Sequence, residues 1–201
     1  MTSIQNRVIN IVKSPATEWP VIAAETGDVG SLYKDYIMPL AAIPPVAQFI
    51  GLSLIGSAMP FVGYYRRPMG QGISAMVLSY VFALAAVYIC AMVIEGLAPK
   101  FKSSGTRFDA LKLVAYASTP GWVGAVFYII PGLSIIAMLA SLYGIYVFYL
   151  GLPVMLKTPS DQVVPFMIVS ALVIIVVSLV LGTFATALTV GSAVAGGVTP
   201  F

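Results

Sequence analysis

Polar and apolar positions in this chain fall into long blocks and do not alternate. Residues 36–65, 68–94, 113–156 and 162–201 carry no charge. About 20 apolar helical residues cross a hydrocarbon core about 30 Å thick, and a charge at the helix centre costs roughly 2.5 to 3.5 kcal/mol. Charge-free blocks of this length predict membrane-spanning helices. The first covers residues 37–62 and contains Pro39, Pro44, Pro45 and Pro60, which predict an irregular start, a kink or a short re-entrant turn. The second covers residues 71–94 and closes at Glu95-Gly96. Residues 113–156 are too many for one crossing at about 1.5 Å per residue. Pro131-Gly132 near the middle predicts a hairpin between spans 113–130 and 133–156. The last span covers residues 163–188, which makes five.

Before the first span lies a segment with helical periodicity. Ile4, Val8, Ile11 and Val12 share one face, and Gln5, Asn6, Arg7, Asn10 and Lys13 are placed on the other. Ser14-Pro15 ends this amphipathic helix and starts a second, with Ser14 as cap, Pro15 at the first position and Glu18 in the first turn. Trp19, Ile22 and Ala23 share its face. Tryptophan favours the membrane interface, so the arm is expected to lie in the headgroups with Trp19 as anchor. Packing across the cytoplasmic ends of the bundle is the alternative. The expected fold is all-α: a polytopic integral membrane protein with five transmembrane helices and a short N-terminal amphipathic arm. It divides into an arm (1–36), a five-span domain (37–190) and a loosely ordered Gly-rich tail (191–201).

Composition narrows the chemistry. The chain has 201 residues, 60% hydrophobic and 8% charged, against about 25% charged in soluble domains. With one cysteine, Cys90, and no histidine, an internal disulfide is excluded, and the usual zinc and haem sites lack ligands. No metal or cofactor is expected. The ten Lys and Arg lie in the arm and in short loops, which suits topology and anionic headgroups and not nucleic acid. With the N-terminus inside, eight of them face the cytoplasm, and Arg66 and Arg67 are the two outside. That bias predicts a cytoplasmic N-terminus and an external C-terminus.

Several phrases resemble bacterial members of the Yip family of five-span membrane proteins. Tyr116-Ala117-Ser118-Thr119-Pro120 lies within the run from Leu111 to Trp122, and Leu142-Tyr143-Gly144-Ile145-Tyr146 opens the run from Leu142 to Lys157. Ser14 to Trp19 and Leu40 to Pro44 extend the resemblance, which covers residues 7–181. It implies the five-span fold and a bacterial inner (cytoplasmic) membrane location. Eukaryotic relatives interact with Rab GTPases through a longer cytosolic N-terminal region; the arm here is short, so the resemblance does not carry that partnership over.

The candidate sites are weak in conventional chemistry. Pro120 removes a helical hydrogen bond, and Ser118 and Thr119 beside it are suited to satisfy freed backbone groups. Together with Tyr116 they form a candidate kink or pocket. Tyr143, Tyr146 and Tyr149 recur every three residues on the fourth span and extend it, although packing is an equal use for them. Arg7, Lys13, Trp19, Lys100, Lys102, Arg107 and Lys112 form a candidate lipid- or partner-binding surface. Small residues at four-residue spacing (Ser53/Ser57, Ala137/Ser141, Ala140/Gly144, Gly182/Thr186) permit close helix packing or a homo-oligomer. Span interiors lack the acidic and basic residues on which proton coupling and voltage sensing depend. No catalytic motif is present, so no catalytic residue is expected. The expected function is non-enzymatic, a scaffold or partner-binding protein in membrane organisation with protein contacts at the cytoplasmic face. The rival is a small channel, transporter or lipid-handling protein with a path between the third and fourth spans.

Overall fold

Segregation of apolar residues produces long helices packed side by side. The computed structural model describes residues 3–59 and 63–195. The arm forms α1 (Ile4–Lys13) and α2 (Pro15–Ala24). A composite helix, α3 (Val29–Ile55), follows, then α4 (Met69–Leu97), α5 (Arg107–Gly124), α6 (Ser134–Met155) and α7 (Val163–Ala195). Among the described residues, the strands are β1 (Ser57–Met59) and β2 (Gly63–Tyr65), an antiparallel hairpin with Ser57 opposite Tyr65.

The first span is shifted from its expected place. It starts at Val29 and ends at Ile55, and the hairpin takes up the residues beyond. Pro60 and Val62 lie outside the described residues. The predicted irregularity is present, as two wide π-helical turns at Tyr33–Ile37 and Ile50–Ile55. Pro39, Pro44 and Pro45 have no N–H to give a regular ladder, and the wider turns absorb the mismatch. The Pro131-Gly132 break is confirmed, with a short 3-10 turn at Pro131–Leu133 after extended Ile130. The last helix runs through Ala195, so residues 191–195 of the expected tail are helical; the rest of the tail lies outside the described residues.

Among the described residues, four helices are long and apolar enough to cross a membrane: Val29–Ile55, Met69–Phe101, Pro131–Met155 and Val163–Phe184. The helix of the expected third span, α5, is not among them. It begins with Arg107, Asp109 and Lys112, capped by Thr106, whose hydroxyl accepts from the Asp109 amide. Twelve of its 18 residues are buried. It is the central helix, wrapped by α1, α3, α4 and α6. A helix surrounded by protein does not need the apolar girdle that lipid demands. By contrast, α7 shows Ile168, Leu172, Ile175 and Leu179 along one exposed stripe, at the spacing of a lipid-facing side.

The tightest pairing is α5 with α6, and small residues explain it. A Cβ at Gly124 would stand 2.3 Å from the Ala140 Cβ, and one at Gly144 would stand 2.7 Å from the Ala117 carbonyl oxygen. Without a hydrophobic drive inside lipid, such close backbone approach is the main source of helix association. The Ala137/Ser141 and Ala140/Gly144 spacings therefore serve packing within the chain. Gly144→Ala is expected to destabilise by about 1 to 3 kcal/mol, because a backbone carbonyl cannot rotate away as a side chain would. Gly132→Ala, with nothing within 4 Å of its new Cβ, serves as the neutral control. Thermal unfolding in mild detergent checks this, and equal midpoints for the two variants would contradict the packing account.

Candidate functional site

Arg7 sits at i+3 from Ile4 and i−4 from Ile11, and it shares their inward face. Only 4% of Arg7 is exposed, against 0% for Ile11. Its guanidinium pairs with both Glu18 and Glu25. It also lies 5.8 Å from the centre of the Tyr116 ring, within cation–π reach. Buried carboxylates and guanidinium groups are tolerated only when paired. These pairs tie α1 to α2 and its end.

Lys112 secures the other side. Its ammonium donates to the carbonyls of Ile22 at 3.1 Å and Glu25 at 2.9 Å, closing the exposed carbonyl end of α2. Burial lowers its pKa, opposed by the charges of Asp109 and Glu25, while Arg7 adds to the lowering. Trp19 fills the remaining space. It is wholly buried, donates Nε1–H to the Val147 carbonyl at 3.0 Å, and lies edge-on to Tyr116. Gly151 makes room for it, since a Cβ there would stand 2.6 Å from the indole. Tyr143 donates to the Val12 carbonyl at 2.9 Å. The cap expected from Ser14 is not formed by its side chain; Thr17 instead donates to the Ser14 carbonyl at 3.0 Å.

These contacts correct the reading of the arm. Trp19 is a core residue and not a headgroup anchor. Arg7, Trp19 and Lys112 are withdrawn from the candidate surface, and Lys13, Lys100, Lys102 and Arg107 stay exposed. Arg107 is bound to Glu95 at 2.7 Å. The partners of Arg7 lie 11 and 18 residues away, beyond any helical period. The one available signal was that Arg7 falls within the apolar stripe of α1.

The candidate pocket residues divide between two places. Under the arm, Tyr36 hydrogen-bonds Thr119 at 2.8 Å and packs on Tyr116, ring centres 4.6 Å apart. Pro120 is buried within α5, and Ser118 and Thr119 donate back to Val114 and Ala115 at 2.7 and 3.3 Å. On the other face of α5, Ser118 lines a cavity of about 540 Å³ bounded by α3, α4, α6 and α7. Tyr143, Tyr146 and Tyr149 do not line it. Tyr146 and Tyr149 are exposed at 51% and 39%. At Gly124, Ala140 and Gly144 the α5 and α6 backbones meet closely, and the cavity lies beside that seam, with Ser141, Gly144, Ile145 and Phe148 of α6 in its wall. Sequence periodicity missed the cleft because its lining comes from five separated segments.

Arg7→Met is expected to cost about 3 to 5 kcal/mol, since it leaves Glu18 buried without its cation. Arg7→Met/Glu18→Met is expected to recover most of that loss, as apolar replacements of whole buried pairs do. Protease susceptibility of α1–α2 in detergent reads both. A double variant as labile as the single one would show that the ion pair itself holds the arm.

Comparison with known proteins finds membrane-protein relatives. The chain is 24% identical over 160 residues to the inner membrane protein YohC of Escherichia coli K12, covering 78% of this chain and 82% of that protein. The YohC of E. coli O6:H1 matches to the same extent. No solved structure matches the chain. The Yip1 domain matches residues 9–182, a range that takes in most of the arm and the helices through most of α7, and the chain belongs to the Yip1 domain family.

Proposed function

We propose that this membrane protein is a non-enzymatic scaffold that binds partners at its cytoplasmic face. It would cross the bacterial inner membrane five times, with α5 as the sheltered third span, the N-terminus inside and the C-terminus outside. The Lys and Arg distribution, eight on the proposed inner side against two, supports this direction. The E. coli relative's description as an inner membrane protein supports the location.

The locked arm is the observation that carries the scaffold reading. Ion pairs, the Lys112 cap and Trp19 hold α1 and α2 against α5 and α6, so the surface they present is preformed. A preformed surface loses little entropy when a partner docks. Its outward side carries Lys13, with Ile9 and Val21 each 48% exposed. Beside it the α4–α5 connection presents Lys100 and Lys102 and is itself fastened. The Ser104 amide donates to Leu156 O at 2.8 Å, and Ser103 to Thr158 at 2.9 Å.

A second reading, lipid handling, is favoured by the cleft. Its mainly apolar lining and its position among candidate spans suit hydrocarbon better than an aqueous solute.

A photo-crosslinking residue at Lys102 is expected to trap protein in cells, and one at Leu172 on the lipid-facing stripe only lipid. Absence of any protein adduct at Lys102, Lys13 and Val21 alike would sink the scaffold reading. An alkaline phosphatase fusion after Phe201 is expected to be active; a dark fusion would reverse the orientation or change the number of crossings.

A further inference from the structure

The cleft has features that specify its occupant. It is bounded by small side chains, among them Ala83 and Ala86 of α4, Ala117 and Gly121 of α5, and Ala171 of α7. These leave a space of about 540 Å³, within the range of sites that enclose small molecules. Along α5 and the 3-10 turn that follows it (Ala125–Ile129) the lining runs from Val114 to Tyr128. That is about 20 Å at 1.5 Å per residue, and one leaflet of the hydrocarbon core is about 15 Å deep.

Two of the three lining serines are engaged within their own helices. Ser118 donates to Val114 O at 2.7 Å and Ser141 to Ala137 O at 3.0 Å, each within its own helix. The wall is therefore mainly apolar, with Gln48, Tyr128 and Ser178 among its other polar side chains. At the mouth, Ile145 of α6 and Ile175 of α7 line the cleft and are 46% and 53% exposed. Both stand on faces with further exposed aliphatics, including Leu142 and Leu172. In a bilayer those faces meet lipid tails, so the medium at the mouth is hydrocarbon. An apolar space left empty forfeits dispersion contacts along its whole wall, and water would find few partners inside. The Gln48 amide and the Tyr128 hydroxyl also belong to the lining, donors suited to the ester groups of a lipid.

We propose that the cleft binds one acyl chain of a bilayer phospholipid, which enters sideways between α6 and α7 with its ester region toward Gln48 and Tyr128. This rests on the lipid-handling reading and requires only residence of the chain, not its movement.

Trp122 lines the cleft and is 9% exposed, whereas Trp19, the other tryptophan, is wholly buried under the arm. The protein is placed, one copy per disc, in nanodiscs of phosphatidylethanolamine and phosphatidylglycerol containing phosphatidylcholine brominated at mid-chain. In Trp19→Phe the remaining Trp122 fluorescence is expected to be quenched several-fold more than that of Trp19 in Trp122→Phe. Ala86→Leu/Ala171→Leu, which fills the cleft with ordinary apolar volume, is expected to remove most of that difference at unchanged helicity. Equal quenching of the two tryptophans would overturn the proposal. So would quenching that survives filling, or quenching by aqueous iodide in place of the brominated lipid. A second copy as the natural occupant would appear as loss of the Trp122 quenching when two protomers share a disc, and it too would overturn the proposal. Failure here is separable from failure of lipid handling at large, which is read by transfer of fluorescent phospholipid between liposomes.

Discussion

The arrangement depends on keeping Arg7 paired once it is buried. A guanidinium out of water must find compensating charge, and Glu18 and Glu25 supply it from α2 and just beyond. Meeting that demand fixes the angle between α1 and α2, and this angle lets Trp19 enter the gap over Gly151 and bond to Val147. Lys112 then reaches back from α5 to the end of α2. The arm thus becomes part of the helical core, and the first turns of α5 are shielded by protein.

Shielding of α5 explains its composition. A helix lined by protein on most sides tolerates hydroxyls, small residues and Pro120, because its polar groups bond inward. Thr119 meets Tyr36 on one side, and Ser118 bonds to its own helix on the other. Small residues along the α5–α6 seam bring two backbones together, and Ala117, Gly121, Ser141 and Gly144 of that seam also line the cleft beside it. Close packing and open space follow from the same run of alanine, glycine and serine.

Much of the fold was legible because lipid imposes a simple rule. Long charge-free blocks marked the helices, Pro131-Gly132 marked the hairpin, and Ser14-Pro15 marked the break in the arm. The start of α3 at Val29 was not legible, because Lys34 and Asp35 suggested an edge where the helix merely turns wider. Trp19 was misplaced because interfacial preference is an average, whereas its burial depends on Gly151 far along the chain. Of the candidate site, Ser118 as a cleft residue was readable locally. The cleft was not, because its walls come together only after α4, α5, α6 and α7 have packed.

The arm is core and not a surface-lying segment, and hydrogen exchange of the protein reconstituted in bilayers tests this. The account predicts that the amides of α1 and α2 exchange as slowly as those in the first half of α5 and are released with them as one unit. Rapid exchange across α1 and α2 while α5 stays protected would contradict it.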